Sequence, residues 1–249
     1  MSFRAQDAPK PRVLSRGTLC LSAPRETQSV SIPRPNMAAP LKITFRFVGF
    51  CLLLAIAWTS AFAQTYVPNK SAWNKYREAQ NALQVRRDAS RAMKLYLEAA
   101  VADPNWADPH IELAGLYGMA EKYSSAAEEW EKARKLDDAH KQLTPQQRHN
   151  VLDGLGVSLA LDGDIDRSMA VYRDAIKEDP DYPLYHYNLA CGYAEKSDLD
   201  RALPELQKAW ELRDNLPSGM RFPDPHKDSS FERYVGNQKF EDAVRNMVD

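Results

Sequence analysis

Tyr185–Leu212, with the sequence YHYNLACGYAEKSDLDRALPELQKAWEL, is the stretch that decides the fold. Apolar and small residues recur at helical spacing in each half of it, on either side of a polar segment from Lys196 to Asp200. The pattern predicts two amphipathic helices joined by a short turn. Because one such hairpin cannot bury its own apolar faces, the stretch also predicts copies of itself elsewhere in the chain.

Three further copies of the pattern precede this stretch. Small and large apolar residues return to the same slots with a period of 34 residues, except for one interval of 42 residues between the second and third copies. The large slot of the second helix is filled, in chain order, by Tyr96, Trp130, Tyr172 and Leu206. The phased series therefore predicts an array of four helical hairpins.

At these slots the chain resembles the tetratricopeptide repeat (TPR) family, whose unit is a helix–turn–helix of this period. The resemblance implies an all-α fold, a right-handed α-solenoid of four helix pairs. It places the repeats at 73–106, 107–140, 149–182 and 183–214.

Several helix ends can be predicted from local signals. Asp108 followed by Pro109 indicates the start of the second repeat. The extra residues between repeats two and three include Thr144, Pro145 and Gln147, a capping box with proline at the first helical position. We expect this insertion to lengthen the first helix of repeat three backwards to Pro145, and Gly163 to end that helix. The first helix of the array is expected to begin near Ala72 or Trp73.

The segment 215–249 departs from the repeat pattern. Prolines and glycines interrupt its first part, and helical spacing then returns around Phe231 and again around Phe240. Because a solenoid needs polar caps on its ends, we interpret 215–249 as a linker followed by two short capping helices.

The amino terminus carries a targeting pattern. Residues 37–63 combine a basic start, an apolar run of about a dozen residues and the small-x-small site Ala61–Phe62–Ala63, which predicts a signal peptide cleaved before Gln64. An uncleaved membrane anchor is the alternative. Residues 1–36 are proline-rich and basic, and are interpreted as a disordered or mis-called extension, with an organellar transit segment as the rival. Residues 64–72 form a lead-in to the array.

This pattern indicates an exported protein of the bacterial TPR type, periplasmic or extracellular. If the signal segment is not cleaved, the protein would instead be anchored in the membrane, facing the periplasm. Of the three cysteines only Cys191 would remain in the mature chain, so an internal disulfide is not expected.

Composition narrows the class of partner. The hydrophobic share of 44% and charged share of 27% are ordinary for a globular protein. Residues 1–63 hold eight Lys or Arg and two acids, which leaves 25 bases against 32 acids in the rest of the chain. This surplus of acids argues against nucleic-acid binding, which needs basic surface. A protein or peptide is the expected partner.

The resemblance implies that the first helix of each repeat lines a concave groove for an extended or helical peptide. The positions that would face this groove hold Arg77, Asn81, Ile111, Gly115, Gly118, Met119, Asp153, Val157, Leu161, Tyr187, Cys191 and Glu195. The alternative is that the apolar members simply pack between helices. Glu112 and Gly154 occupy positions that argue against a clamp for a terminal carboxylate. Arg77 and Tyr187 are expected to face solvent, so that their substitution should weaken binding without lowering the melting temperature.

No catalytic motif, cofactor site or metal site is predicted. Phosphate-loop, G-x-S-x-G and H-E-x-x-H motifs do not occur in the sequence. Cys191 and His186 lie five residues apart on one helix and would point in different directions. The leading hypothesis is an exported adaptor without enzymatic activity. A membrane-tethered assembly factor is the second hypothesis, and an enzyme that uses the Cys191 region is the third.

Overall fold

The computed structural model describes residues 66–247, which form helices joined by turns and loops, without a β-strand in that range. The helices are α1 (Lys70–Gln84), α2 (Ala89–Ala102), α3 (Asp108–Met119), α4 (Tyr123–His140), α5 (Pro145–Leu161), α6 (Ile165–Glu178), α7 (Pro183–Glu195) and α8 (Leu199–Glu211), followed by 3-10 helices at Arg213–Asn215 and Ser229–Tyr234 and by α9 (Gln238–Val244). The predicted extension 1–36 and signal peptide 37–63 lie outside the described residues.

The helices pack in consecutive pairs. α1 packs against α2, α3 against α4, α5 against α6 and α7 against α8, and each second helix also packs against the first helix of the next pair. This arrangement is a right-handed α-solenoid of four TPR-like hairpins with a carboxy-terminal capping segment, so the predicted fold class is confirmed. No helix between residues 66 and 247 combines the length and the apolar character needed to cross a membrane.

The turn of each of these four hairpins contains one residue in the left-handed helical conformation, with a positive φ angle. The residues are Arg87, Glu121, Gly163 and Ser197, with φ angles of 53°, 57°, 91° and 62°. A non-glycine residue in this conformation costs roughly 1–2 kcal/mol, so Gly163 is the unstrained version of the turn. As predicted, α5 ends next to Gly163, at Leu161.

Aspartates cap the second helices of three hairpins. Asp88, Asp164 and Asp198 each accept a hydrogen bond from the amide three residues further on, at 2.9, 3.1 and 3.0 Å. The amides of a helix start have no intrahelical acceptor, so each cap satisfies one of them and stabilises its helix by about 1 kcal/mol.

The first helix begins slightly earlier than predicted, and the second repeat begins where it was predicted. α1 begins at Lys70 and not at Ala72 or Trp73, because the Asn69 side chain accepts the Ala72 amide at 3.0 Å and caps the helix there. Asp108 is the first residue of α3 and not its cap, and the preceding Ala107 makes no side-chain cap.

The insertion behaves as predicted, with one addition. α5 begins at Pro145, and Thr144 and Gln147 form both hydrogen bonds of the capping box. α4 is also long and runs to His140. Arg148, near the start of α5, bonds Asp137 at 2.6 Å and the carboxylate of Glu178 at 2.7 Å. The lengthened ends of α4 and α5 are thereby joined to the end of α6.

Glycines in the first helices receive large side chains from the second helices. A Cβ at Gly154 would overlap the Trp130 ring, and one at Gly156 would overlap the Tyr172 ring. Tyr172 is 2% exposed and belongs to a buried core cluster. The close approach of these helices therefore depends on the missing side chains.

The carboxy-terminal segment closes the end of the array. Phe231 and Phe240 stack with ring centroids 5.6 Å apart and are fully buried in one cluster with Leu206 of α8. The two predicted short helices are present, the first as a 3-10 helix. Gly236, at φ 86°, and Asn237, which caps α9, separate them as the sequence indicates.

Two glycine-to-alanine substitutions should have opposite effects on stability. Gly156→Ala should destabilise the fold by about 1–3 kcal/mol, because overpacking against Tyr172 outweighs the gain in helix propensity. Gly115→Ala, also inside a first helix, should stabilise it by about 0.5–1 kcal/mol, because a Cβ there meets no atom within 4 Å. Urea unfolding of both variants measures the difference, and equal midpoints would contradict the packing described here.

Candidate functional site

The candidate groove is the surface formed by the first helices, α1, α3, α5 and α7, at the positions named from the sequence. Its α1 and α3 part is open. Arg77 and Asn81 on α1 are exposed, and Met119 at the end of α3 is 82% exposed. Ile111 is partly buried. Gly115 and Gly118 border empty space, since a Cβ on either would meet no neighbour within 4 Å.

The α5 part of the surface is more closed. Val157 is 3% exposed and packs in the interior, while Leu161 is partly buried. Asp153 is partly buried as well and is held by the side chains of Tyr182 and Asn188. On α5, Val157 therefore packs between helices, as the alternative interpretation stated. Asp153 is the polar side chain on this part of the candidate groove.

At α7 the expectation of a solvent-facing groove is wrong. Tyr187 is 1% exposed and Cys191 is 5% exposed. The Tyr187 hydroxyl donates to Asp228 at 3.0 Å, and the Cys191 Sγ lies 3.8 Å from the same carboxylate. Phe222 and Phe231 pack edge-on against the Tyr187 ring. Substituting Tyr187 would therefore remove core packing, and it cannot serve as a silent test of binding.

The group that covers α7 is the carboxy-terminal segment, which runs alongside that helix. Asn215 donates to the carbonyl of Asp181, just before α7, at 3.0 Å, and Tyr234 donates to the carbonyl of Ala194, near its end, at 3.3 Å. Glu195 is partly buried, 3.9 Å from Arg233 of this segment. The segment thus lies beside α7 much as the first helix of a further repeat would.

Asp153 is the centre of a polar cluster in the candidate groove. Its carboxylate accepts hydrogen bonds from the Tyr182 hydroxyl at 3.2 Å and from the Asn188 amide at 3.3 Å. Burial raises the pKa of Asp153 to about 7, although both hydrogen bonds favour the ionised form. The group therefore changes charge near neutral pH.

A second cluster lies near the amino-terminal ends of α1 and α3, and we call it the aromatic–acidic end of the groove. It consists of Trp73, Tyr76, Trp106, Asp108 and Glu112. Tyr76 donates to Glu112 at 2.8 Å, and its ring centroid lies 6.1 Å from Trp73 and 4.8 Å from Trp106. Trp73 remains 44% exposed.

Both carboxyl groups of this end are raised in pKa. Burial raises the pKa of Asp108 despite a hydrogen bond from Trp106, and burial raises that of Glu112 despite the bond from Tyr76. Asp108 also raises the pKa of Glu112 by repulsion. Each carboxylate is thus satisfied by a neutral donor, and neither forms an ion pair within residues 66–247.

Cys191 and His186 do not come together. His186 contacts Glu205 at 2.7 Å through Nδ1 and the carbonyl of Pro180 at 3.1 Å through Nε2, on the side of α8. Cys191 faces Asp228 of the carboxy-terminal segment. Within the range that the structure describes, no three His, Cys, Asp or Glu side chains are arranged to hold a metal ion.

Comparison with known proteins supports the fold. No model of a protein family matches the sequence. The chain is 31% identical over 127 residues to the probable UDP-N-acetylglucosamine–peptide N-acetylglucosaminyltransferase SPINDLY of Hordeum vulgare, in the TPR region of that protein. This match covers 51% of the chain but only 13% of the barley protein.

Solved structures resemble the array more completely. A double mutant of MamA RS-1, a TPR-containing protein, has a TM-score of 0.55 at 15% identity, covering 73% of this chain and 93% of that one. BtubC from P. vanneervenii has a TM-score of 0.51 at 21% identity, covering 70% and 86%. At these identities the likeness shows the fold alone, which is TPR-like.

Three residues of the site were missed by the sequence analysis. Tyr182 contacts Asp153 from the end of the same repeat and Asn188 from the next repeat, and Asp228 reaches Tyr187 across 41 positions. Repeat spacing gives the register of Asn188, one position after Tyr187, and could have indicated it. The repeat period does not indicate the contact of Asp228 with Tyr187, because the segment of Asp228 lies outside the repeat pattern.

Asp153 should make stability depend on pH. Its pKa is about 7 in the folded protein, against an ordinary value of 3.8 for an aspartate. Between roughly pH 4 and 7 the folded state therefore binds a proton that the unfolded chain has released, and this contribution to stability falls as pH rises, by at most about 1.4 kcal/mol per pH unit. Asp153→Asn keeps a hydrogen-bonding amide but cannot ionise. Urea unfolding at pH 5 and pH 8 should show that the variant loses less stability than the parent protein over this interval.

The exposed Asp162, one helix end away, provides the matched control. Asp162→Asn should leave the pH dependence unchanged. If Asp153→Asn and the parent protein lose the same stability between the two pH values, the carboxyl group of Asp153 is not protonated near neutrality.

Proposed function

We propose that the protein is a TPR adaptor that binds a peptide segment of a partner protein in the candidate groove, over α1, α3 and α5. The observation that carries this proposal is the open floor at Gly115 and Gly118, with Met119 82% exposed beside it. An exposed apolar side chain beside empty space on a helical surface is a typical place for a peptide anchor.

The rest of the surface supports binding better than catalysis. The polar groups of the groove, Asp153 and Glu112, accept hydrogen bonds from neighbouring side chains of the same array. In the described part of the chain neither belongs to a group of His, Cys, Asp or Glu side chains that could hold a metal ion. Such groups can orient a ligand and discriminate between ligands.

Filling the open floor should abolish binding without unfolding the protein. Gly115→Gln places a neutral side chain in the empty space, and Gln favours a helix more than Gly does by roughly 0.5–1 kcal/mol. The partner would be recovered by crosslinking and pull-down with the parent protein, and its affinity then measured by titration calorimetry. We expect the variant to lose about tenfold or more in affinity, as for a blocked interface centre.

Lys208→Gln is the control, since Lys208 is exposed on the second helix α8. It should bind as the parent protein does. Equal affinity of Gly115→Gln and Lys208→Gln would place the binding surface elsewhere, for example on the lengthened helix α5 at Pro145.

We further propose that the protein is exported, with residues 37–63 as a cleaved signal peptide. The pattern of Lys42 and Arg46, an apolar run and the Ala61–Phe62–Ala63 site supports this proposal. Amino-terminal sequencing of the protein from its native source should give Gln64 as the first residue. An intact segment 37–63 recovered only with membranes would instead favour the tethered assembly factor.

A further inference from the structure

The carboxylates of the candidate groove differ from those on α4, a second helix, in whether they form ion pairs. On α4, Glu131 bonds Arg134 at 2.8 Å, and Arg134 holds the pKa of Glu131 below its usual range. Asp137 bonds Arg148 at 2.6 Å. The carboxyl groups along the groove, Asp108, Glu112 and Asp153, are instead bonded to Tyr, Trp and Asn side chains, and none of the three has an ion pair among the described residues. A partly buried carboxylate without a cation is left with an uncompensated desolvation cost.

The aromatic–acidic end combines two such carboxylates with an exposed aromatic face. Trp73 is 44% exposed and tilts against Trp106 with ring centroids 6.0 Å apart. Cations bind favourably over the face of a tryptophan, and a nearby carboxylate adds a charge-assisted hydrogen bond. The rings and the carboxylates thus favour the same kind of ligand, for independent physical reasons.

Apolar contacts lie further along the same helix. Gly115 and Gly118 form the open floor of the groove on α3, and Met119 ends that helix. A peptide that follows α3 would meet the carboxylates first and the apolar floor afterwards. This order favours a ligand that carries both basic and apolar side chains.

From this charge complementarity we infer that the groove binds a basic peptide, with a lysine or arginine side chain held at the aromatic–acidic end by Trp73, Asp108 and Glu112. The inference rests on the proposed groove and adds the chemical class of its ligand. A neighbouring cation of the chain, Arg77, is exposed one helical turn after Trp73 and forms no ion pair with these carboxylates within the described range. Arg77 therefore does not neutralise the charge of these carboxylates by direct pairing.

Two blocked twelve-residue peptides provide the test. One alternates Lys and Leu and the other alternates Glu and Leu, each with a fluorophore, and fluorescence anisotropy measures their affinity for the full chain at low and at 0.5 M salt. We expect the Lys peptide to bind about tenfold or more tightly than the Glu peptide at low salt, and the difference to shrink at high salt. Equal affinities would overturn the inference.

Site variants separate a specific site from the general acidity of the chain. Glu112→Gln and the double variant with Asp108→Asn should lose most of the preference for Lys, and Trp73→Leu should reduce it. Glu128→Gln, the same change at an exposed position of α4, should keep it. Circular dichroism confirms that each variant is folded. A Lys preference that survives in the double variant would also overturn the inference, since net charge alone would then explain it.

The failure of this inference is distinguishable from failure of the groove itself. If Gly115→Gln abolishes binding of the recovered partner while Glu112→Gln leaves that affinity unchanged, the groove stands and the basic ligand is wrong. If Gly115→Gln has no effect on the partner or on the Lys peptide, both proposals are wrong.

Discussion

Each helix pair in this protein has two apolar faces, and only one of them is covered by the pair's own packing. The second face must be buried by the following pair, which is why α2 packs on α3, α4 on α5 and α6 on α7. At the end of the array no further pair follows, and Phe231, Phe240 and Val244 bury the last face instead. The stability of every repeat therefore depends on its neighbour, and that of the fourth depends on the carboxy-terminal segment.

The same constraint explains what the sequence could and could not predict. Contacts between the two helices of one pair join residues a fixed distance apart in the sequence. The packing of Tyr172 against Gly156 can therefore be predicted from the repeat period alone. The capping box at Thr144 is also local, and it was predicted correctly. Tyr187 was misplaced, because its burial depends on Asp228 and Phe231, which lie outside the periodic part of the chain. The start of the second repeat at Asp108 and Pro109 was predicted correctly, although Ala107 before it makes no side-chain cap.

The groove positions were predicted from their place in the repeat. In the structure, equivalent positions are exposed on α1 but buried on α7. Positions equivalent to Arg77 and Asn81, which are exposed on α1, are occupied on α7 by Tyr187 and Cys191, which are buried. The difference has a chemical origin. Polar side chains at these positions of the first repeat can remain hydrated. An aromatic ring and a thiol at the same positions of the last repeat are more stable when another segment of the chain buries them. The segment that supplies this cover also supplies Asp228 as the acceptor for the Tyr187 hydroxyl.

Because only part of the groove is open, the length of peptide that it can bind is limited. An α-helix rises about 1.5 Å per residue, so α3 from Asp108 to Met119 is roughly 17 Å long. An extended peptide that follows α3 rises about 3.3 Å per residue, and such a length accommodates about five residues. A ligand of this length can place a basic side chain against Glu112 and apolar side chains over Gly115 and Gly118. Because the carboxy-terminal segment covers the corresponding face of α7, the proposed recognition falls to the helices whose surfaces remain open.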